Sequence, residues 1–74
     1  MRAEYDKVAD SVYFRLKGEK VAESVEISEG VIIDYDKRGE VSGIEVLSFS
    51  KRNLDLNRLV KLGDVELIAE VATA

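Results

Sequence analysis

The chain has 74 residues, of which 46% are hydrophobic and 35% are charged, and its formal net charge at pH 7 is −4. This length fits one domain, residues 1–74, and the hydrophobic fraction is that of a folded protein rather than a disordered chain. Because a negative chain repels phosphate backbones, nucleic-acid binding is not expected.

The first three predicted strands alternate with short polar turns. Residues 2–5 and 11–16 are strand candidates, separated by the polar turn 6–10, and residues 17–20 form the next turn. In residues 21–27, one set of alternate positions holds Val21, Glu23, Val25 and Ile27, and this period of two with β-branched residues predicts a strand.

A β-hairpin follows. Residues 31–35 and 41–48 are its strands, and the loop between them reads as a type I turn in which Asp36 caps its own loop and Gly39 is left-handed. The small Gly43 leaves room for a large neighbour on its face. The predicted pairs are Tyr35 opposite Val41, Ile33 opposite Gly43 and Ile32 opposite Ile44.

The spacing of the apolar residues changes after Ser50, from the alternation of a strand to the spacing of a helix. Residues 53–62 are predicted to form a short helix that Asn53 caps and Gly63 ends. Residues 64–71 fit a strand better than a helix, although a helical reading is also possible. As an unpaired strand, this segment would expose an apolar row at the edge of the sheet. The residues of that row, and of the interface expected there, are Val65, Leu67 and Val71.

These elements predict a two-layer α+β domain: an antiparallel β-meander of about five strands, with one short helix in the C-terminal half. A domain this small buries only about 60% of the surface that its unfolded chain exposes. The chain has no Cys and no His, so no disulfide or structural zinc can add stability. We therefore expect a homodimer, formed through the C-terminal segment or the open sheet face.

Two stretches of the chain carry a resemblance to a known family. They are "YDKVADSVYFRL", residues 5–16, and "SEGVIIDYDKRGEVSGIEVLSFSKR", residues 28–52. Together they resemble the YuzE-like family of small prokaryotic proteins of unknown function. The resemblance implies a compact single domain without an established activity. Because some relatives occur beside small toxin-like proteins, it also implies an antitoxin-like role with a small protein as partner.

The stretch "DYDKRGEVSGIE", residues 34–45, partly matches a calcium-binding EF-hand loop. Asp34, Asp36, Gly39 and Glu45 stand at ligand or turn positions of that loop. However, Arg38 stands where an oxygen ligand is required, and the flanking segments read as strands rather than helices. A hairpin tip is therefore the preferred interpretation.

The remaining chemistry in the sequence is sparse. Without His, Cys or a nucleophile elbow, the chain has no acyl-transfer triad, and its scattered Gly residues make no phosphate loop. We expect no enzyme activity, no cofactor and no membrane partner, and a cytoplasmic location. The functional prediction is a non-enzymatic protein-interaction module. Its alternative is a divalent-metal site built from Asp6, Asp10, Asp34 and Asp36.

Overall fold

A computed structural model describes residues 1–74. Its elements, in chain order, are β1 (Arg2–Asp6), β2 (Ser11–Arg15), β3 (Glu23–Ser28), β4 (Val31–Tyr35), β5 (Val41–Val46), a 3₁₀ turn (Phe49–Lys51), α1 (Leu56–Leu59) and α2 (Asp64–Ala72). The predicted α+β class with five antiparallel strands is confirmed. Neither α-helix is long and apolar enough to cross a membrane.

The strand order differs from the predicted simple meander. The five strands form one sheet in the order β1-β2-β5-β4-β3, so β5 lies between β2 and β4. The segment 16–22 therefore carries the chain from the β1–β2 hairpin to the far edge of the sheet. This order buries side chains of β2, β4 and β5 in the centre and leaves the polar strands β1 and β3 at the edges.

The hairpin of β4 and β5 contains an irregularity that shifts its register. Tyr35 pairs with Val41, as predicted. Between Asp34 and Tyr35 the register slips, so that Ser42 stands in a bulge and Gly43 pairs with Asp34. The predicted pairs beyond this point are therefore wrong by one residue: Ile33 lies opposite Ile44, and Ile32 lies opposite Glu45. Without the bulge, Ile33 and Ile44 could not both face the core.

One face of the sheet forms the core together with the helical segment. Cross-strand partners place their side chains on the same face, and the pairs Phe14–Ile44 and Ile44–Ile33 identify the buried face. The 3₁₀ turn and the helices add the apolar side chains that cover it. The core residues are Val12, Phe14, Val31, Ile33, Ile44, Val46, Phe49, Leu59, Leu67 and Val71.

The C-terminal segment differs from both sequence predictions. The helix predicted for residues 53–62 is only the single turn α1, which Asp55 caps by accepting a hydrogen bond from the Asn57 N–H. Asn53 does not cap it, because Asp55 is the residue directly before Leu56; Asn53 lies two residues earlier, with a left-handed backbone at a φ of 59°. The strand predicted for residues 64–71 is wrong, since this segment is the helix α2. Leu67 and Val71 are four residues apart and so share one helix face, which is buried.

Candidate interaction surface

The sheet face opposite the core has no helix over it, and we call it the open face. Its side chains follow from the cross-strand pairs that alternate with the core pairs. The first row across the sheet consists of Glu4, Tyr13, Glu45, Ile32 and Glu26. The second row consists of Arg2, Arg15, Gly43, Asp34 and Ser24.

A hydrogen-bonded network on the open face joins side chains of three strands, β2, β4 and β3. The Tyr13 hydroxyl on β2 donates to Asp34 Oδ2 on β4 over 2.8 Å, and the Ser24 hydroxyl on β3 donates to Asp34 Oδ1 over 2.6 Å. To reach β4, the Tyr13 ring passes over Gly43 on β5. A Cβ atom at Gly43 would overlap the Tyr13 hydroxyl and ring. The predicted large neighbour of Gly43 is therefore Tyr13.

The environment of the Tyr13 hydroxyl favours its protonated form. Partial burial raises the pKa of Tyr13 to about 12, and the hydrogen bond to the Asp34 carboxylate and its negative charge act in the same direction. The guanidinium of Arg15 lies 5.2 Å from the Tyr13 ring centroid and has the opposite, smaller effect on that pKa. Tyr13 is thus a hydrogen-bond donor at neutral pH and does not act as a proton acceptor.

Charge is unevenly distributed over the open face. On the β1–β2 side, Glu4 makes ion pairs with Arg2 at 3.0 Å and with Arg15 at 3.6 Å. On the β5–β4–β3 side, the two rows contain Glu45, Asp34 and Glu26 and no cationic residue. This half of the open face therefore has a net negative charge.

β3 is an edge strand that pairs with β4 alone. Its second side leaves backbone N–H and C=O groups without a partner strand, as at any sheet edge. Val25 and Ile27 are 38% and 39% exposed. The only irregularity is a register shift between Glu26 and Ser28, which ends the regular pairing at Glu26. The stretch from Glu23 to Glu26 is thus a regularly paired, accessible edge, and we call it the β3 edge.

Side chains of the opposite edge strand, β1, make several contacts within the chain. Its Glu4 is engaged by two arginines, as described above. The Tyr5 hydroxyl donates to Asp10 Oδ1 over 3.2 Å, and the Tyr5 ring lies 6.4 Å from that of Phe49. The carboxylate of Asp6 accepts from the backbone N–H groups of Val8 and Ala9. These contacts leave β1 fewer free side chains to offer a partner than β3 has.

The four carboxylates considered for a metal site lie in three separate places. Asp6 and Asp10 belong to the β1–β2 turn, where Asp10 accepts hydrogen bonds from the backbone and side chain of Ser50. Asp34 belongs to the network on the open face. Asp36 is at the tip of the β4–β5 hairpin. No group of three or more acidic side chains in the chain is placed to hold a metal ion.

Asp36 organises the hairpin loop. Its Oδ1 accepts from the N–H groups of Arg38 and Glu40, over 2.9 and 3.0 Å, and these hydrogen bonds lower its pKa. Gly39 has a φ of 80° and donates its N–H to the Asp36 carbonyl. The second oxygen, Oδ2, has the Lys17 ammonium 3.6 Å away. Asp36 and Gly39 together form a closed loop with an internal cap.

The three residues predicted for a C-terminal interface do not form a strand edge, because they lie on the helix α2. Leu67 and Val71 are fully buried in the core of their own chain, and Val65 is 80% exposed on α2. Because the segment is a helix, the unpaired strand edge that suggested an interface there does not exist. The sheet has two edge strands, β1 and β3, and sequence reasoning did not single out β3 as an edge. The exposed alternation of Val21, Val25 and Ile27 was the only sequence signal for it.

Comparison with known proteins gives one match. No curated protein and no solved structure matches the chain. A family model described as "Protein of unknown function (DUF2283)" matches residues 2–50, which include all five strands and the start of the 3₁₀ turn but neither α-helix. Because that match covers more than half of the chain, this protein belongs to the DUF2283 family.

Proposed function

We propose that the protein is a non-enzymatic protein-interaction module that binds a strand of its partner along the β3 edge. The observation that carries the proposal is the unpaired outer side of the β3 edge, with Val25 partly exposed on it. An extended segment of another protein can add to such an edge as a sixth strand. Main-chain hydrogen bonds would then supply affinity, and alternate side chains would supply specificity.

We also propose an antitoxin-like role for this module. The chain also resembles the YuzE-like proteins, and this resemblance implies an antitoxin-like role. An antitoxin of this kind would act by covering a segment of a small partner protein. The open edge supports such a role because strand addition needs no catalytic group and no cofactor in the module itself.

The test is capture of partners from the native cell with a tagged full-length chain and a variant blocked at the edge. In Val25→Lys, an ammonium group stands at the edge, where lysine disfavours the approach of another strand. The matched control is Val8→Lys, because Val8 lies in the β1–β2 turn and is 99% exposed.

We expect a specific protein to be retained by the unmutated chain and by Val8→Lys but lost with Val25→Lys. Equal retention by all three chains would show that the partner binds elsewhere. Circular dichroism of Val25→Lys must match that of the unmutated chain for the comparison to hold.

A second candidate for the same edge is another copy of the chain, as the small size of the domain suggests. Two β3 strands paired antiparallel about Val25 would place Ser24 opposite Glu26 and Glu23 opposite Ile27, so no glutamates would directly oppose each other. Light scattering at micromolar concentration separates the two occupants. A dimeric mass for the unmutated chain that becomes monomeric in Val25→Lys would favour self-pairing.

A further inference from the structure

We infer that the segment bound at the β3 edge is a basic, amphipathic strand: lysine or arginine side chains on its open-face side and apolar side chains on its helix-covered side. This inference rests on the proposed function, because it specifies the chemistry of the partner that the β3 edge takes. It is carried by the carboxylates beside the edge and by the exposed apolar side chain on the other face of β3.

A strand added to β3 continues the alternation of the sheet, so every second side chain lies on the open face. There it would first meet Ser24 and Glu26, which belong to β3. Asp34 on β4 and Glu45 on β5 lie behind them. Neighbouring strands are about 4.8 Å apart, so these carboxylates stand roughly one, two and three strand spacings from the added strand.

The nearest carboxylates contribute most of the attraction. At physiological ionic strength, exposed charges separated by more than about 8 Å are largely screened. Glu26 lies within that range, and Asp34 lies near its limit. Asp34 accepts hydrogen bonds from Tyr13 and Ser24 on the same face. No cationic residue on β3, β4 or β5 shares the open face with these carboxylates. Arg52 lines a cleft with Glu26, but its guanidinium donates to the backbone carbonyls of Leu47 and Glu29 and makes no ion pair with Glu26.

The other side of the added strand would meet a different surface. Val25 pairs with Ile33, which is in the core, so the Val25 side chain is on the helix-covered side of the sheet. It is nevertheless 38% exposed because no strand lies beyond it. An apolar side chain on the added strand would cover Val25 and remove its exposed apolar area from water, which favours binding.

A second copy of the chain fits this surface less well than a basic strand. Self-pairing of β3 would add the partner's Glu26 to an open-face region already holding Glu26, Asp34 and Glu45. Like charges gathered at one edge oppose association. A lysine-bearing strand would instead neutralise them, so charge complementarity selects the basic strand.

The test measures binding of two synthetic nine-residue peptides to the full chain by fluorescence anisotropy. One peptide alternates lysine and valine, and the other alternates glutamate and valine. We expect the lysine peptide to bind at least ~10-fold more tightly than the glutamate peptide and to weaken as salt is raised, since exposed charges are screened. We also expect Val25→Lys to abolish its binding.

The contribution of the Glu26 negative charge to binding of the lysine peptide is tested by Glu26→Gln. A glutamine oxygen can still accept the Gly30 N–H that Glu26 Oε2 now accepts over 2.8 Å, so the local structure is kept. We expect this variant to bind the lysine peptide about three- to tenfold more weakly, as loss of an opposite charge at short range implies. The matched control, Glu66→Gln on α2, removes an equal charge from the helix layer and should leave binding unchanged.

The possible results distinguish the basic-strand inference from the proposed strand addition at the β3 edge. Equal binding of both peptides, lost in Val25→Lys, would overturn the basic partner and leave strand addition standing. Lysine-peptide binding that Val25→Lys does not reduce would show that the charged face binds without the edge, which contradicts both. No binding of either peptide would overturn the basic-strand inference, while the capture experiment decides separately on the edge.

Discussion

Asp10 shows how the acidic residues of this chain are used. It stands in the β1–β2 turn with a left-handed backbone, at a φ of 54°. Its carboxylate accepts hydrogen bonds from Ser50, 40 residues away, and from the Tyr5 hydroxyl. The hydrogen bond from the Ser50 side chain lowers the pKa of Asp10. The carboxylate therefore ties the first hairpin to the 3₁₀ turn.

The other acidic residues of the family-like pattern also organise local structure. Asp6 closes the first turn, Asp36 caps the hairpin loop, and Asp34 receives the two hydroxyl groups of the open-face network. Each is used where a backbone or hydroxyl donor needs an acceptor. Each of these Asp residues therefore has a hydrogen-bonding role within the fold.

Replacing Gly43 with Ala tests the contact between Gly43 and Tyr13. The new Cβ would overlap the Tyr13 hydroxyl and ring, so the ring must move away and lose its hydrogen bond to Asp34. We expect urea denaturation to show a loss of about 1–3 kcal/mol in the free energy of unfolding, as for overpacking and a lost buried hydrogen bond. Gly18→Ala is the control, because nothing lies within 4 Å of a Cβ there. Equal stability of both variants would refute the contact.

The raised pKa of Tyr13 predicts a stability change at high pH. Tyr13 keeps its proton in the folded chain up to about pH 12, whereas an unfolded tyrosine releases it near its ordinary value of about 10. The unfolded state therefore binds fewer protons between these values, and the free energy of unfolding falls as pH rises. Below the unfolded pKa, this stabilising contribution is fully present.

The comparison is with Tyr13→Phe, which lacks the titrating hydroxyl. We expect the stability advantage of the unmutated chain over this variant to shrink from pH 10 to pH 12, in denaturant unfolding at each pH. The other tyrosines are common to both chains, so their titration cancels. A constant difference across that range would contradict the raised pKa.

The sequence predicts the single-turn features at the residue scale but not the long-range ones. The cap of Asp36 and the left-handed Gly39 follow from loop chemistry within five residues. The link from Tyr13 to Asp34 requires β2 and β4 to flank β5, and no local pattern specifies that order. The room left by Gly43 was visible in the sequence, whereas the residue that fills it was not.

At the scale of elements, α2 shows why the spacing of apolar residues alone could not distinguish a helix from a strand in the C-terminal segment. Residues 64–71 contain apolar side chains at both alternating and helical spacing. Two features favour the helix: Asp64 and Glu66 in its first turn suit the helix dipole, and Leu67 and Val71 share a face. Burial of that face over the sheet decides between the two structures, and burial is a tertiary property that a short window does not contain.

Two substitutions within α2 separate the helix from the strand. We expect Leu67→Ala to lower the free energy of unfolding by about 2–5 kcal/mol, because Leu67 is fully buried and its removal leaves a cavity. Val65→Ala should be neutral or slightly stabilising, since Val65 is 80% exposed and alanine is the better helix former. In a strand these two residues would share a face, so similar losses at both positions in thermal unfolding would contradict the helix.

At the scale of the whole molecule, the family match and the fold have different boundaries. The match ends at residue 50, but the apolar face of the sheet is covered by residues beyond it. Leu59 on α1 and Leu67 and Val71 on α2 are all buried in the shared core. The sheet therefore depends on the segment that lies outside the matched residues.

Deletion of residues 64–74 tests this dependence. The shortened chain would expose the apolar side chains of β2, β4 and β5 that α2 now covers, and a domain of this size has little stability in reserve. We expect it to lose its cooperative thermal transition and to bind a dye specific for exposed apolar surface, as compact states without fixed packing do. The full chain carrying Thr73→Ala is the control, since Thr73 caps only the last carbonyl groups of α2. A shortened chain that melts cooperatively near the temperature of the full chain would show that the sheet is stable without its helix layer.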